Sequence, residues 1–136
     1  MADTIRQVEY FYVEVPDKPG EGARALRTLK DSGVNLLAFS GFPSGRKAQL
    51  DFVPADVAAF KQAAKAAGWK PVGPKRAFLI SGEDRTGAIA DVLGRLADAK
   101  INVVAVDAAG ADGRFGAILW VEPRNVKKAA QLLGAQ

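Results

Sequence analysis

Cysteine and histidine are both absent from the 136 residues of this chain. Without cysteine the chain can form neither a disulfide framework nor a thiolate nucleophile, and the redox compartment is left open. Without histidine it lacks the commonest general base and the commonest metal ligand. Catalysis would have to rely on carboxylates, lysines and hydroxyls. We therefore expect a protein that is not an enzyme, and we predict no cofactor and no metal site.

Long apolar runs are also missing. Residues 1–6 lack the apolar core of a signal peptide, and no stretch approaches the roughly 20 apolar residues of a membrane span. We therefore expect a cytoplasmic protein without a membrane partner. The net charge of +4 comes from 19 basic residues scattered among 15 acidic ones. Aromatic and basic residues do not interleave as in single-strand-binding proteins, so we expect a solvated mixed surface and no nucleic-acid partner.

An internal repeat organises the chain. Hydrophobic residues make up 49% and charged residues 25%, a globular profile, and the length fits one ordinary domain or two very small ones. Shifting the sequence by 67 residues aligns a set of polar and glycine positions in one register: Asp17 with Asp84, Gly20 with Gly87, Asp31 with Asp98, and Asn35 with Asn102. The repeat therefore favours two small modules.

Both copies show the same series of patterns. Alternating residues predict strands, apolar residues at helical spacing predict helices, and Pro and Gly clusters predict turns. The first copy predicts strands at 8–15, 34–42, 47–53 and 69–72. It also predicts one helix that stops at Gly33 and a second that covers 54–67. The second predicts strands at 76–81, 101–109 and 114–122, with helices at 87–99 and after Pro123. This order is the split βαβ, or ferredoxin-like, α+β unit.

We therefore predict two βαββαβ modules in tandem, residues 1–73 and 74–136, the second lacking its last strand. The strand at 76–81 would then be an open edge, and an unpaired apolar edge invites another strand. Residues 69–72, or the N-terminal residues of either chain, could supply it. We expect either a homodimer or two modules that join into one continuous sheet.

Two similar segments lie between a strand and the first turn of a helix, Asp17–Gly20 and Asp84–Gly87. The first amides of a helix have no partner within it and its dipole favours an anion, so such a segment suits a carboxylate ligand. Glycine also permits a close approach to the backbone. The alternative is structural: Pro19 starts the helix, the aspartates cap it and the glycines serve a tight turn.

Two asparagines stand second in their predicted strands, Asn35 and Asn102. Asparagine is unfavourable in strands, whereas its amide offers both donors and an acceptor to a ligand. Such an amide could hold an α-amino or α-carboxylate group. The alternative is an Asx turn at the junction between helix and strand.

These segments together resemble the ACT domain, whose pattern is a strand, Asp-x-Pro-Gly, a helix, and Gly-(Ile/Val)-Asn. The first copy carries the pattern, and the second has Thr86 in place of proline and Lys100 in place of glycine. The resemblance implies a tandem ACT protein that binds a free amino acid at the module or dimer interface. By that resemblance the ligand-binding residues are Asp17, Lys18, Pro19, Gly20, Glu21, Gly22, Asn35, Leu36, Asp84, Arg85, Thr86, Gly87, Ala88, Asn102 and Val103.

One position departs from the family, because Gly22 stands where a large apolar residue is usual. A second glycine could widen the pocket or loosen the helix start. The expected function is allosteric regulation of a separate enzyme through an amino acid or a similar small metabolite. Two alternatives stay open: a structural dimerisation module without a ligand, and a small enzyme of ferredoxin-like fold.

Overall fold

The computed structural model describes residues 3–136, in which strands and helices alternate as predicted. Their bounds are β1 Thr4–Pro16, α1 Glu21–Asp31, β2 Leu36–Ser44, β3 Lys47–Pro54, α2 Val57–Ala66, β4 Val72–Glu83, α3 Ala88–Asp98, β5 Val103–Ala111, β6 Arg114–Val121, a 3₁₀ turn Pro123–Asn125 and α4 Val126–Leu133. The chain divides into two compact units. The first unit is Glu9–Lys75, and the second is the described part of Met1–Val8 with Arg76–Gln136.

The first unit has the strand order β2-β3-β1-β4. Strand β3 is antiparallel to both β1 and β2, with Phe52 opposite Phe11 on one side and opposite Phe39 on the other. Buried residues of β1, β3, α1 and α2 form one apolar core. The Phe11 and Phe60 rings stack within it, with centroids 4.7 Å apart. These features confirm the predicted ferredoxin-like α+β module.

The second unit has the strand order β1-β4-β6-β5, in which residues 4–8 of β1 take the fourth position. Ile5 is 7% exposed and belongs to the same core as Phe78 and Leu96. The backbone also ties the segment to the chain end, because Gln7 N donates to Gln136 O at 2.9 Å and Gln136 N donates to Ile5 O at 3.2 Å. Within residues 3–136 no strand follows α4.

The N-terminal segment is thus the strand that the open edge at 76–81 required, and it comes from the same chain. The predicted modules were 1–73 and 74–136, whereas the structure groups residues 3–8 with the second unit. The physical reason is packing, since Ile5 fills the second core. A charged contact adds to it, because Arg85 Nη1 and Nη2 each donate to an Asp3 carboxylate oxygen at 3.0 Å. These hydrogen bonds hold the pKa of Asp3 below its usual range.

Strand β4 runs from Val72 to Glu83, whereas the sequence predicted two separate strands, 69–72 and 76–81. Residues 69–71 are not in a strand. Gly73 and Pro74 lie between the two predicted strands, and both are inside β4. Gly73 has φ 138°, and a Cβ there would lie 2.7 Å from the Tyr10 carbonyl oxygen. The glycine therefore permits a close approach between two strands instead of ending one. Within residues 3–136, no helix has the length and apolarity needed to cross a membrane.

Candidate functional site

The helix starts of α1 and α3 owe their glycines to backbone conformation. Gly20 and Gly87 are the N-cap residues and adopt left-handed φ values of 93° and 76°. Side chains with a Cβ rarely adopt this conformation, which explains why glycine recurs in both copies. No side chain of the described residues caps either helix. The tight-turn interpretation of the glycines is therefore confirmed, and the interpretation of Asp17 and Asp84 as helix caps is wrong.

The two asparagines are exposed, and among the described residues neither side chain has a hydrogen-bond partner, so the Asx-turn alternative has no support here. Strand register separates each asparagine from the helix-start loop of its own unit. Pro16 and Ser44 both lie opposite Lys47, at the hairpin end, whereas Leu36 lies opposite Pro54, at the other end. Eight strand steps correspond to about 26 Å. One module alone therefore does not bring Asp17–Gly22 and Asn35 together.

The second unit shows the same separation, and one of its predicted site residues forms an ion pair within the unit. Glu83 and Ala111 both lie opposite Arg114, while Val103 lies opposite Val121 at the other end. Asp84 and Asn102 are therefore at opposite ends of the strands. Arg85, predicted to contact a ligand, pairs with Asp3, and its guanidinium lies 5.9 Å from the centre of the Phe115 ring. Arg85 thus serves packing of the N-terminal segment.

A cavity of about 520 Å³ opens in the first unit beside the start of α1. Its volume is within the range of about 300–1,000 Å³ of small-molecule sites. Three segments line it: Tyr12, Val13, Glu14 and Val15 of β1; Glu21, Arg24, Ala25 and Thr28 of α1; and Gly68, Trp69, Lys70 and Val72 after α2. Of the predicted ligand-binding residues of the first copy, only Glu21 lines this cavity, and Gly22 is not among its lining residues.

Local geometry explains how Trp69 reaches the cavity. Gly68 adopts φ 76° after the end of α2, and Trp69 N donates to Ala64 O at 2.9 Å. This left-handed helix ending directs the indole back towards the core. The Trp69 ring stacks on Phe52, with centroids 5.8 Å apart and an angle of 21° between the planes. Trp69 was not among the predicted site residues, although its place directly after a helix-ending glycine was a usable signal.

The cavity carries charges of both signs. Glu14 and Glu21 supply carboxylates, and Arg24 and Lys70 supply cations. Between these charges lie apolar side chains, including Val13, Val15 and Trp69. Such a lining, an apolar wall with a few charged groups, suits a small molecule that carries an ammonium and a carboxylate group on an apolar body.

A second polar cluster of the first unit is buried without lining this cavity. Asp51 is 5% exposed and Tyr10 is 8% exposed. Burial raises the pKa of Tyr10 to about 12, and the charge of Asp51 adds to the effect. Burial also raises the pKa of Asp51, although the hydrogen bond donated by Gln49 Nε2 at 2.8 Å and the nearby Lys75 cation oppose the shift. The ionised form of Asp51 is thus disfavoured in the folded chain.

We predict that Asp51→Asn raises the melting temperature at pH 7. Because the folded pKa of Asp51 lies above its unfolded value, the stability it contributes is present below the unfolded pKa and lost as pH rises through the folded pKa. The variant avoids that loss of stability, so the difference in melting temperature between variant and parent should shrink as pH falls towards 4. Thermal unfolding between pH 4 and 7 measures this, with the exposed Asp31→Asn as the control. A lower melting temperature at pH 7 would contradict the prediction.

Comparison with known proteins agrees with this architecture. The ACT domain family model matches residues 77–136. The match falls on the copy with Thr86 and Lys100, although the first copy carries the fuller motif. No curated protein sequence matches the chain. The tandem organisation rests on the repeat and on the two units of the structure.

Solved structures resemble the whole chain. A Bacteroides thetaiotaomicron protein has a TM-score of 0.78 and 17% identity, and the alignment covers 97% of this chain and 88% of the Bacteroides chain. The ligand-free regulatory subunit of aspartate kinase from Thermus thermophilus has a TM-score of 0.67 and 16% identity, covering 98% and 95%. The Thermus flavus regulatory subunit has a TM-score of 0.60 and 16% identity, covering 98% and 94%. At these identities the likeness shows the fold.

Proposed function

We propose that this chain is a stand-alone regulatory protein that binds a free amino acid or a similar small metabolite. The cavity beside the start of α1 carries the proposal, because it combines an apolar wall with carboxylates and cations. An amino acid offers the matching chemistry, an ammonium and a carboxylate on one small body. The ACT domain match in residues 77–136 supports the same class of ligand.

Regulation rather than catalysis is the role that we propose for binding. Two of the structural neighbours are regulatory subunits of aspartate kinase, so this fold occurs in chains that regulate an enzyme. The enzyme controlled by the present chain would be a separate polypeptide. A ligand that binds one packing of the modules better than another shifts the population towards it, and that shift is the signal. Cytoplasmic placement rests on the sequence alone and stays a prediction.

The asparagines could contribute to a ligand site that is completed by a second module. Because Asn35 and the Asp17–Gly22 loop lie at opposite ends of one unit, a site that uses both kinds of element needs two modules. A homodimer would provide them, and the dimer stays a prediction. The dimer contact would form along the edge strand β2. Three apolar side chains of this strand are about two-fifths exposed: Leu37 at 39%, Phe39 at 39% and Phe42 at 41%.

A thermal-shift screen of the twenty amino acids tests the proposed function. We expect one or a few of them to raise the melting temperature, because a ligand at 100 times its dissociation constant adds about 2.7 kcal/mol to stability. Asn35→Ala and Asn102→Ala should weaken binding if a second module completes the site, with little loss of stability since both side chains are exposed. Calorimetry without binding at millimolar concentrations would favour a structural dimerisation module instead.

A further inference from the structure

The Glu21 carboxylate is a buried charge whose pairing is incomplete. Its side chain is 10% exposed, although Glu21 lies in the first turn of a surface helix. Among the described residues its Oε2 atom has no hydrogen-bond partner. Arg24 Nη2 lies 3.1 Å from Oε2, but the contact lacks hydrogen-bond geometry and the Arg24 side chain is 74% exposed. Arg24, which in residues 3–136 is the cation that forms an ion pair with this carboxylate, is thus mostly in solvent.

A structural explanation accounts for only part of this arrangement. A carboxylate in the first turn of a helix interacts favourably with the helix dipole, which explains an acidic residue at this point. It does not explain why the carboxylate is buried against a cavity. Burying a charge is costly unless it is paired and hydrogen-bonded, and an exposed ion pair contributes little. A cationic group placed inside the cavity would complete the pairing.

The second copy does not repeat this group. The shift of 67 residues places Ala88 at the position of Glu21 and Asp91 at the position of Arg24. The two helices correspond residue for residue, since α1 is Glu21–Asp31 and α3 is Ala88–Asp98. Ala88 is buried in the apolar core of the second unit. The second copy therefore has a methyl group in place of the carboxylate and an acid in place of the base.

We infer that Glu21 receives the ammonium group of the ligand, and that only the first copy holds a ligand in this way. The inference rests on the proposed function and narrows it. The ligand class is α-amino acids with a free ammonium group, and carboxylic acids that lack the amine are excluded. Arg24 and Lys70 would face the ligand carboxylate, and Val13, Val15 and Trp69 its apolar part. The stoichiometry is one ligand per chain.

Isothermal titration calorimetry of the full chain tests this inference with the twenty L-amino acids and with the des-amino carboxylic acid of each that binds. We expect one site per chain. We expect the des-amino acid to bind at least about tenfold more weakly, because a hydrogen bond to a charged group is lost. Glu21→Gln keeps the shape and removes the charge, so it should also raise the dissociation constant at least about tenfold. Asp31→Asn, on the same helix outside the cavity, should bind as the parent does.

The outcomes separate the inference from the proposed function. An amino acid that binds Glu21→Gln and the parent equally well, or that binds at two equal sites per chain, overturns the inference and leaves amino-acid binding intact. A des-amino acid that binds as tightly as its amino acid overturns it as well. This last comparison uses the parent chain alone and decides the matter even if Glu21→Gln does not fold. Absence of binding by all twenty amino acids overturns both.

Discussion

Replacing Phe52 by alanine is expected to lower the free energy of unfolding by about 3–5 kcal/mol, which is a large part of the 5–15 kcal/mol of a typical domain. Phe52 is 0% exposed and lies at the centre of the aromatic cluster of the first unit. Its ring centroid is 5.5 Å from Phe39, 5.6 Å from Phe60 and 5.8 Å from Trp69. Truncation would leave a cavity that three rings border, and the strand backbone limits how far they can move to fill it.

Denaturant unfolding measures the effect of Phe52→Ala, with Phe42→Ala as the matched control. Phe42 is on a neighbouring strand and is 41% exposed, so its truncation should change stability far less. Loss of Phe52 should also disturb Trp69, which lines the cavity beside the start of α1, and tryptophan fluorescence should change as a result. Equal stability losses for the two variants would show that the aromatic cluster does not dominate this core.

Ile5→Ala is expected to lower the free energy of unfolding by about 2–4 kcal/mol, because the side chain is buried in a packed core. Ile5 is 7% exposed and packs with residues more than seventy positions away, such as Phe78 and Leu96. An ordinary N-terminal residue tolerates truncation, so an effect of this size would identify residues 3–8 as an integral strand of the second unit.

The control for Ile5→Ala is Thr4→Ala, because Thr4 is adjacent and exposed. Amide hydrogen exchange gives a second readout. Faster exchange after Ile5→Ala should appear in β4 and β6 of the second unit, whose core Ile5 completes. A change in stability within about 0.5 kcal/mol, the range of ordinary surface substitutions, would contradict the assignment of this segment.

The order of the strands and helices could be predicted from the sequence because it depends on local residue patterns. Alternation marks strands, helical spacing marks helices, and the repeat shows each pattern twice. Two features that local patterns did not fix, the course of β4 and the place of Ile5, involve contacts between distant residues. The Gly73 and Pro74 pair looks like a break, yet the close approach of the Tyr10 carbonyl explains the glycine. Ile5 gives no local signal that it joins a core formed by residues 78–133.

The candidate site could be predicted only in part for the same reason. Glu21 was selected through its place in a helix-start motif, which is a local feature. Trp69 and Lys70 reach the cavity because the chain turns at Gly68, after the end of α2, and this position depends on how α2 packs beside α1. The family pattern also joined Asp17 and Asn35 in one site, whereas strand register places them at opposite ends of the first unit. Register depends on pairing across the sheet and cannot be read from either segment alone.

The place of residues 4–8 in the second unit has a consequence for synthesis on the ribosome. The chain emerges from its N-terminus at about 5–20 residues per second, and the first unit has all its residues once Lys75 has emerged. The segment around Ile5, made first, must wait until β4 and β6 exist. Ile5 and Val8 stay exposed to solvent during those seconds, and closing the intervening loop adds an entropic barrier. Nascent chains that end near residue 80 should therefore be the stage most exposed to chaperone binding and aggregation.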